Sequence, residues 1–512
     1  MNAPPPRKRS WFRRLVRLGC FLGVAVLCLI AGLITWLGVY LNGTPVVADA
    51  LPDGDVADAT VSAPLGGGLD GFESPYLGHT GSWNGSGGAM FGGSKTDALD
   101  KEAAMGLRWT FMCVYWNKLE PDGPVTDLTS PPEAWRRLDA FVVAAHQRGL
   151  NILMQAPVVG GNAGGPPAWA GRREPGKSAP KDMQAAADFA GRLAQRYAPG
   201  GVLASQQGWG ADYGVRAWEL DNEPESYRTS WSGQAGDYAE FVTLVSQSIR
   251  RHDPAAVIVA PGCAGGGHAN EWIRQTLDAG ALHGSPDYRT TGQAYSIGPA
   301  INAASFHVYE GMDSFVTGTP RTIETVYAEQ RPLYDAWAER AGAAPPREYW
   351  HTEGNYDFLG VTSARRRADW RWQFFTRAFA AGVDKVCVMD ASQAEQTAVR
   401  LYVRHLPAPT PMRNATDEAR LIAGQAAVFV HDDPAHDGPP PDDGHHSGRV
   451  WVAWALPGGE AAEVEIPVVN DEIVVVGTTG REETKRPSGG VVRLRLPADK
   501  AITPSVMVVD RP

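Results

Sequence analysis

The chain has 512 residues, 43% of them hydrophobic and 17 of them tryptophan, which is too long for one small domain and enough to build two or three folded units with substantial cores. Its formal charge is −10, and Arg7, Lys8, Arg9, Arg13, Arg14 and Arg17 all stand before residue 18 with no acid among them, so the remainder is more acidic still. Such a body repels a phosphate backbone, and no nucleic acid is expected as a partner.

Leu18 to Leu41 is an uncharged run of 24 residues, long enough to cross the ~30 Å hydrocarbon core of a bilayer as a helix. The basic flank predicts a cytoplasmic tail over 1–17, a transmembrane signal anchor over 18–41 with Trp36 and Tyr40 at the outer interface, and everything after Asn42 extracytoplasmic, in the periplasm or outside the cell. The rival is a cleaved signal peptide ending at Ala48-Asp49-Ala50, although the apolar core is longer than a signal core requires. Residues 42–70, rich in Gly, Pro, Ala and Asp, read as a tether, in which Pro45-Val46-Val47 could add an edge strand to a later sheet. Of five cysteines, Cys20 and Cys28 lie in the anchor and Cys113, Cys263 and Cys387 in separate apolar runs, so buried free thiols are expected.

From Gly71 strand and helix patterns alternate. Strands are predicted at Tyr76–His79, Leu107–Val114, Asn151–Gln155, the stretch entering Trp218-Glu219-Leu220-Asp221-Asn222-Glu223-Pro224-Glu225, Ala256–Pro261, Ala304–Tyr309, Glu348–Glu353 and Lys385–Asp390. Between them lie helices at Asp97–Met105, Pro132–Arg148, Lys181–Tyr197, Tyr238–His252, Asn270–Ala279, Arg321–Gly342 and Ala364–Ala381, with a last one at Thr416–Ala426. Eight such units predict a (β/α)8 TIM barrel over 71–426. An open doubly wound sheet is the alternative, but Gly78–Gly93 lacks the phosphate-loop spacing that it would carry.

Beyond residue 426, short β-rich runs at Val450–Trp454, Ala462–Pro467, Ile473–Val476, Val491–Leu496 and Ser505–Val509 predict a β-sandwich-like accessory domain over 427–512. The insertion His431–Gly448 holds four histidines and five aspartates; its prolines and glycines favour a solvated loop over a metal site.

Glu223, stopped by Pro224, and Glu353, in His351-Thr352-Glu353-Gly354, each lie where a strand runs out, and a barrel brings such ends to one face. Two carboxyl groups are the minimum for cleaving a glycosidic bond, with Glu223 as acid/base and Glu353 as the ionised nucleophile. Asn222 is placed to hold a sugar hydroxyl. In Ser305-Phe306-His307-Val308-Tyr309, alternation sends His307 and Tyr309 to one side, where they could orient Glu353. Glu219 and Asp221 share the strand of Glu223 and compete for its role. Trp116, Trp231 and Trp350 are candidates for stacking on sugar or for core positions; Arg108 for pairing with a site carboxylate; His79, Asn117 and Gln155 for sugar hydroxyls. Glu120-Pro121-Asp122-Gly123 is a turn first.

Arg108, Trp116-Asn117-Lys118-Leu119-Glu120-Pro121, Trp218–Pro224, His307-Val308-Tyr309 and Glu353 together resemble the retaining glycoside hydrolases of the large (β/α)8-barrel clan. Within it the chain is most similar to family 39, the β-xylosidases, iduronidases and exopolysaccharide glycosidases, over about residues 71–426, and the trailing β-module is similar to that of clan members carrying a sandwich. The resemblance implies Glu223 as acid/base and Glu353 as nucleophile. Asp221 and Val388-Met389-Asp390 depart from the common pattern and leave the sugar open. The expectation is a membrane-anchored retaining glycosidase acting on a β-linked oligo- or polysaccharide without metal or cofactor; the rivals are an inactive carbohydrate-binding barrel and a transglycosidase.

Overall fold

The computed structural model describes residues 74–83, 95–159, 165–226, 231, 234–264, 267–278, 295–311, 321–356, 362–389, 391–406, 412–432 and 448–511. The basic tail, the anchor, the tether and most of the histidine loop lie outside the described residues, and among the described residues no helix is long and apolar enough to cross a membrane.

Eight parallel strands, hydrogen-bonded in chain order, form a closed barrel: β1 (Tyr76–Trp83), β2 (Trp109–Tyr115), β3 (Asn151–Val158), β4 (Ala217–Glu219), β5 (Val257–Val259), β6 (Ala303–His307), β7 (Glu348–Glu353) and β8 (Lys385–Val388). Pairing of Tyr76 with Val386 and of Gly78 with Val388 closes it. The main helices between and after these strands are α1 (Lys95–Ala104), the single turn α2 (Trp116–Leu119), α3 (Glu133–Gln147), α4 (Met183–Tyr197), the short α5 (Val202–Gln207), α6 (Ala235–Arg250), α7 (Gly267–Leu277), α8 (Ile323–Ala341), α9 (Ala364–Ala381) and α10 (Gln393–His405). Such strands are covered on both faces, which is why β2 reads Trp-Thr-Phe-Met-Cys-Val-Tyr with almost no polar residue. The helices follow ordinary rules: on α4, Asp182 caps the first turn by accepting from the Gln184 and Ala185 amides, and Phe189, Leu193 and Tyr197 line its buried face.

Period-2 alternation fills the barrel in layers. Near its base Trp109 and Trp350 meet edge to face at 5.8 Å, with the Lys385 ammonium over both rings at 5.3 and 5.2 Å. Phe111, Leu153, Ala217, Val257 and Val259 fill the interior with them. Towards the mouth the inward positions turn polar, with Gln155, Glu219, Ser305, His307 and Thr352 all buried.

The last barrel helix is α10 and not Thr416–Ala426. Its start was marked in the sequence, since Ser392 and Glu395 form a reciprocal capping box. Thr416–Ala426 instead carries the short strand Arg420–Ala423, paired with Glu463–Glu465 of the accessory module. That module has a six-stranded antiparallel sheet and a three-stranded one. Val428, Val430, Trp451 and Val508 of the larger sheet face Val464, Ile466, Leu494 and Leu496 of the smaller. The alternate residues Phe429, Val452, Trp454, Met507 and Val509 join the barrel's outer core, so both faces of the larger sheet are apolar. Asp369 on α9 locks the contact by accepting from Thr478 Oγ1 at 2.6 Å and from the Ser505 amide at 3.3 Å.

Candidate active site

The ends of β4, β6 and β7 bring the two glutamates together. One carboxylate oxygen of Glu223, one of Glu353 and a ring nitrogen of His307 all lie within 4.8 Å of one another. The side chains of Glu223 and Glu353 are 20% and 19% exposed, so solvent reaches both, whereas His307 is wholly buried.

Glu353 reaches this position through an irregularity. Phe306 pairs with His351 but His307 pairs with Glu353, so the ladder skips Thr352. Thr352 points inward and donates to Glu219 Oε1 at 3.0 Å, while His351 points out against Phe374. Strict alternation would then turn Glu353 away from the barrel; the bulge returns it to the mouth. Its Oε1 accepts from the Tyr309 phenol at 2.6 Å, and His79 Nε2 lies 3.9 Å from Oε2. Burial, then the adjacent Glu353 charge, hold the Tyr309 phenol well above its ordinary range, so Tyr309 is a donor here.

Glu223 is presented differently. The strand ends at Glu219 and not at Pro224 as the sequence predicted, and Leu220–Glu225 runs on as irregular chain at the rim. Asp221 and Glu223 have φ of 69° and 40°, the left-handed region. The Glu223 amide donates to the Gly262 carbonyl at 3.0 Å, and its Oε1 meets His307 Nδ1 at 3.0 Å. Burial alone would lower the His307 pKa, but the charge of Glu353 and the hydrogen bond and charge of Glu223, with Glu219 behind them, push it up to about 9. His307 is therefore a cation at neutral pH, set among carboxylates. Gly262 permits this packing, since a Cβ there would stand 2.1 Å from His307 Nε2.

Glu219 faces into the barrel beneath the site and does not compete for the acid role: it is fully buried, and its Oε1 accepts from the Gly262 amide, Ser305 Oγ and Thr352 Oγ1. Asp221 is turned out of the cleft and is likewise fully buried. Asn222 Oδ1 accepts from Gln155 Nε2 at 3.1 Å, and Gln155 in turn accepts from Cys113 Sγ. That relay commits the Asn222 oxygen and leaves its amide hydrogens for a ligand. Gln155 itself is fully buried and supports Asn222 from below. His79, its side chain only 6% exposed beside Glu353, packs at a tilt against Phe111 at 4.6 Å. Asn117 is half-buried on α2.

Four expected site residues lie elsewhere. Trp350 is in the barrel floor, its indole donating to Glu348 at 2.7 Å. Trp116 is fully buried, stacked on Phe189 at 5.7 Å and donating to Glu120, which Arg192 grips at 2.6 and 2.8 Å. Trp231 is fully buried behind the rim and donates to Asp221. Arg108 is exposed and precedes the first residue of β2, which puts it at the opposite end of the barrel from the carboxylates. In each case the side chain serves packing or solvation on a part of the fold that the motif spacing alone does not locate.

Sequence reasoning gave no role to Glu225. It is buried beside Glu223, accepts from the Ala264 amide at 2.5 Å, and is pushed up to about 7 by burial and by the Glu223 charge. A third acid two residues beyond the first, in Glu223-Pro224-Glu225, was the available signal.

No family model and no curated protein sequence matches the chain. Among solved structures, a family 51 α-L-arabinofuranosidase from Bifidobacterium longum matches with a TM-score of 0.53 at 11% identity, over 88% of this chain and 98% of that one. A GH39 β-xylosidase from Caulobacter crescentus matches with a TM-score of 0.50 at 14% identity, over 87% and 98%. A bifunctional glucanase-xylanase from a metagenome library matches with a TM-score of 0.51 at 13% identity, over 81% and 94%. At such identities the likeness is one of architecture, and it agrees with the resemblance carried by the motifs: the chain has the (β/α)8-barrel fold of these glycoside hydrolases.

Proposed function

We propose that the chain is a retaining glycosidase that acts on a β-linked oligo- or polysaccharide, with Glu353 as nucleophile and Glu223 as acid/base. The observation that carries the reading is the approach of the two carboxylates to within 4.8 Å at the barrel mouth. Retaining enzymes need about 5 Å, whereas an inverting pair needs roughly 6.5–9.5 Å to admit a water.

The roles follow from the neighbours. Glu353 accepts a 2.6 Å bond from a phenol that keeps its proton, which holds one carboxylate oxygen in place and leaves the other for attack. It attacks the anomeric carbon while the bond to the leaving oxygen breaks. Glu223, its Oε1 held by His307 Nδ1 at 3.0 Å, delivers a proton to the departing oxygen. Water then attacks the glycosyl-Glu353 ester as Glu223 takes its proton back. The Asn222 amide, fixed by Gln155, suits a sugar hydroxyl.

The same three groups would also offer a minimal donor set for a divalent cation. The His307 proton opposes that reading, because a metal ligand needs the lone pair that the proton occupies. Turnover is therefore expected to survive chelation.

We also infer that residues 18–41 anchor the enzyme in a membrane with the barrel on the extracytoplasmic side, which rests on the uncharged run and its basic flank. Fractionation of the full chain with membranes, lost on deleting 1–41, tests it. The catalytic reading is tested by Glu353→Gln and Glu223→Gln, each expected to reduce turnover by orders of magnitude; unchanged activity in either removes the proposal. A transferase would be recognised by glycosyl transfer in preference to hydrolysis when acceptor sugar is present.

A further inference from the structure

We propose that Asp221, held by Trp231, is a positioning residue that fixes Glu223 for proton transfer; the inference rests on the glycosidase reading above. Among the described residues, Asp221 and Glu223 are the non-glycine positions with left-handed φ, and they flank Asn222. Left-handed backbone is unfavourable for an L residue and persists only where its surroundings hold it.

Three of the holding contacts are made by the Asp221 carboxylate itself. Its Oδ2 accepts from the Trp231 indole at 2.6 Å; its Oδ1 accepts from the Asn222 amide at 2.9 Å and from the Val159 amide, just past β3, at 3.3 Å. One residue earlier, the Leu220 carbonyl accepts from the Tyr238 phenol at 2.5 Å. Trp231 and Tyr238 pack edge to face at 5.2 Å. Two aromatic side chains thus grip the turn from behind, while Gln155 and Gly262 hold Asn222 and the Glu223 amide from the barrel side. Asp221 and Trp231 are both fully buried, so neither touches substrate.

Glu353 has separate supports in the β6–β7 ladder and Tyr309. Loosening Asp221 should therefore misplace the acid and spare the nucleophile. In glycosylation the C–O bond breaks with its electron pair going to the leaving oxygen, which takes its proton from Glu223 as Glu353 bonds to carbon. A good leaving group departs without that proton, and a poor one does not.

The test uses Asp221→Ala and Trp231→Phe in the full chain, with aryl glycosides of whichever sugar the wild type turns over best, the aglycone running from 2,4-dinitrophenol to phenol. Both variants are expected to lose roughly a hundredfold in kcat/KM on the phenyl glycoside and no more than about threefold on the dinitrophenyl one, with Asp221→Asn between them and wild type. Equal loss across the series overturns the proposal, because a merely structural defect lowers the active fraction for every substrate alike. Trp231→Phe removes one donor while keeping an aromatic ring, so the test survives if Asp221→Ala does not fold. Glu223→Ala runs alongside. If it shows the leaving-group dependence and the other variants do not, the positioning role alone fails; if it shows none, or if the wild type turns over no glycoside, the glycosidase reading fails and this inference with it.

Discussion

Glu353 stands directly across the β6–β7 ladder from His307, and the ladder reaches that pairing by skipping Thr352. One extra residue in β7 lets Thr352 bond to Glu219 inside the barrel and still turns the next side chain into the cleft. His307 meets Glu223 by its Nδ1, so a single imidazole lies between the strand that bears one glutamate and the segment that bears the other. The geometry of the site is thus set by backbone irregularities on both sides, a bulge before Glu353 and a left-handed turn at Glu223.

The bulge depends on Gly354. A Cβ at that position would stand 2.0 Å from the Val308 carbonyl oxygen, which is backbone and unable to swing aside. Gly354→Ala is expected to lower stability by about 1–3 kcal/mol, seen as a reduced melting temperature. It should also lower kcat more than tenfold, since Glu353 is the adjacent residue and a shift on the order of 1 Å at a reacting group is severe. Wild-type turnover in Gly354→Ala would show that the ladder does not place the proposed nucleophile, Glu353.

Tyr309→Phe removes the 2.6 Å bond to Glu353 and changes little else in volume. Hydrogen bonds to charged groups contribute roughly 1.5–3 kcal/mol, so kcat/KM is expected to fall by about ten- to a hundredfold. Steady-state kinetics on an aryl glycoside measures it. A rate equal to wild type would mean that the phenol does not act on the carboxylate.

Stability should fall as pH rises through the site's titration. The folded protein holds the His307 proton up to about pH 9, against an ordinary value of 6.5. Below 6.5 both folded and unfolded chains are protonated there and the contribution is fully present; between 6.5 and about 9 only the folded chain keeps the proton, and the contribution drains away. The loss amounts to about 3 kcal/mol at most. Glu225, raised from 4.5 to about 7, acts with the same sign over that lower window. Melting temperatures of wild type and His307→Gln, compared from pH 6 to 9.5, should converge as pH increases. Parallel curves would contradict the buried cation.

The fold was legible where periodicity and caps agree. β7 and α9 appear as read, because the Tyr349-Trp350 pair just beyond Pro345-Pro346 and a helical stripe ended by Gly382 leave little choice. The meeting of Glu223 and Glu353 was legible as well, since a barrel gathers strand ends whatever their separation in the chain. Side-chain facing at those ends was not. It depends on the skipped Thr352 and on positive φ at Asp221, and neither leaves a pattern in residue types, for both positions would pass as ordinary strand. The tryptophans misled for another reason: proximity in sequence to a rim residue says nothing about which layer an indole enters, and Trp116 and Trp350 both went into core.

Trp350 makes that distinction measurable. The ring has no solvent exposure, donates to Glu348, packs on Trp109 and lies under the Lys385 ammonium, all near the barrel base and below the polar layer of Glu219 and Ser305. A sugar-stacking tryptophan, when removed, raises KM and leaves the melting temperature nearly unchanged, because its ring was facing water. Trp350 should do the reverse. Trp350→Ala empties a large volume and takes one donor from the buried Glu348 carboxylate, so a loss of about 3–5 kcal/mol is expected, and the gentler Trp350→Phe should lose less. In whatever fraction of Trp350→Phe stays folded, KM for an aryl glycoside should match wild type, since the buried layer of Thr352, Glu219 and Ser305 separates this ring from the cleft. A raised KM with an unchanged melting temperature would return Trp350 to the sugar site and overturn the arrangement of layers on which the reading of the barrel rests.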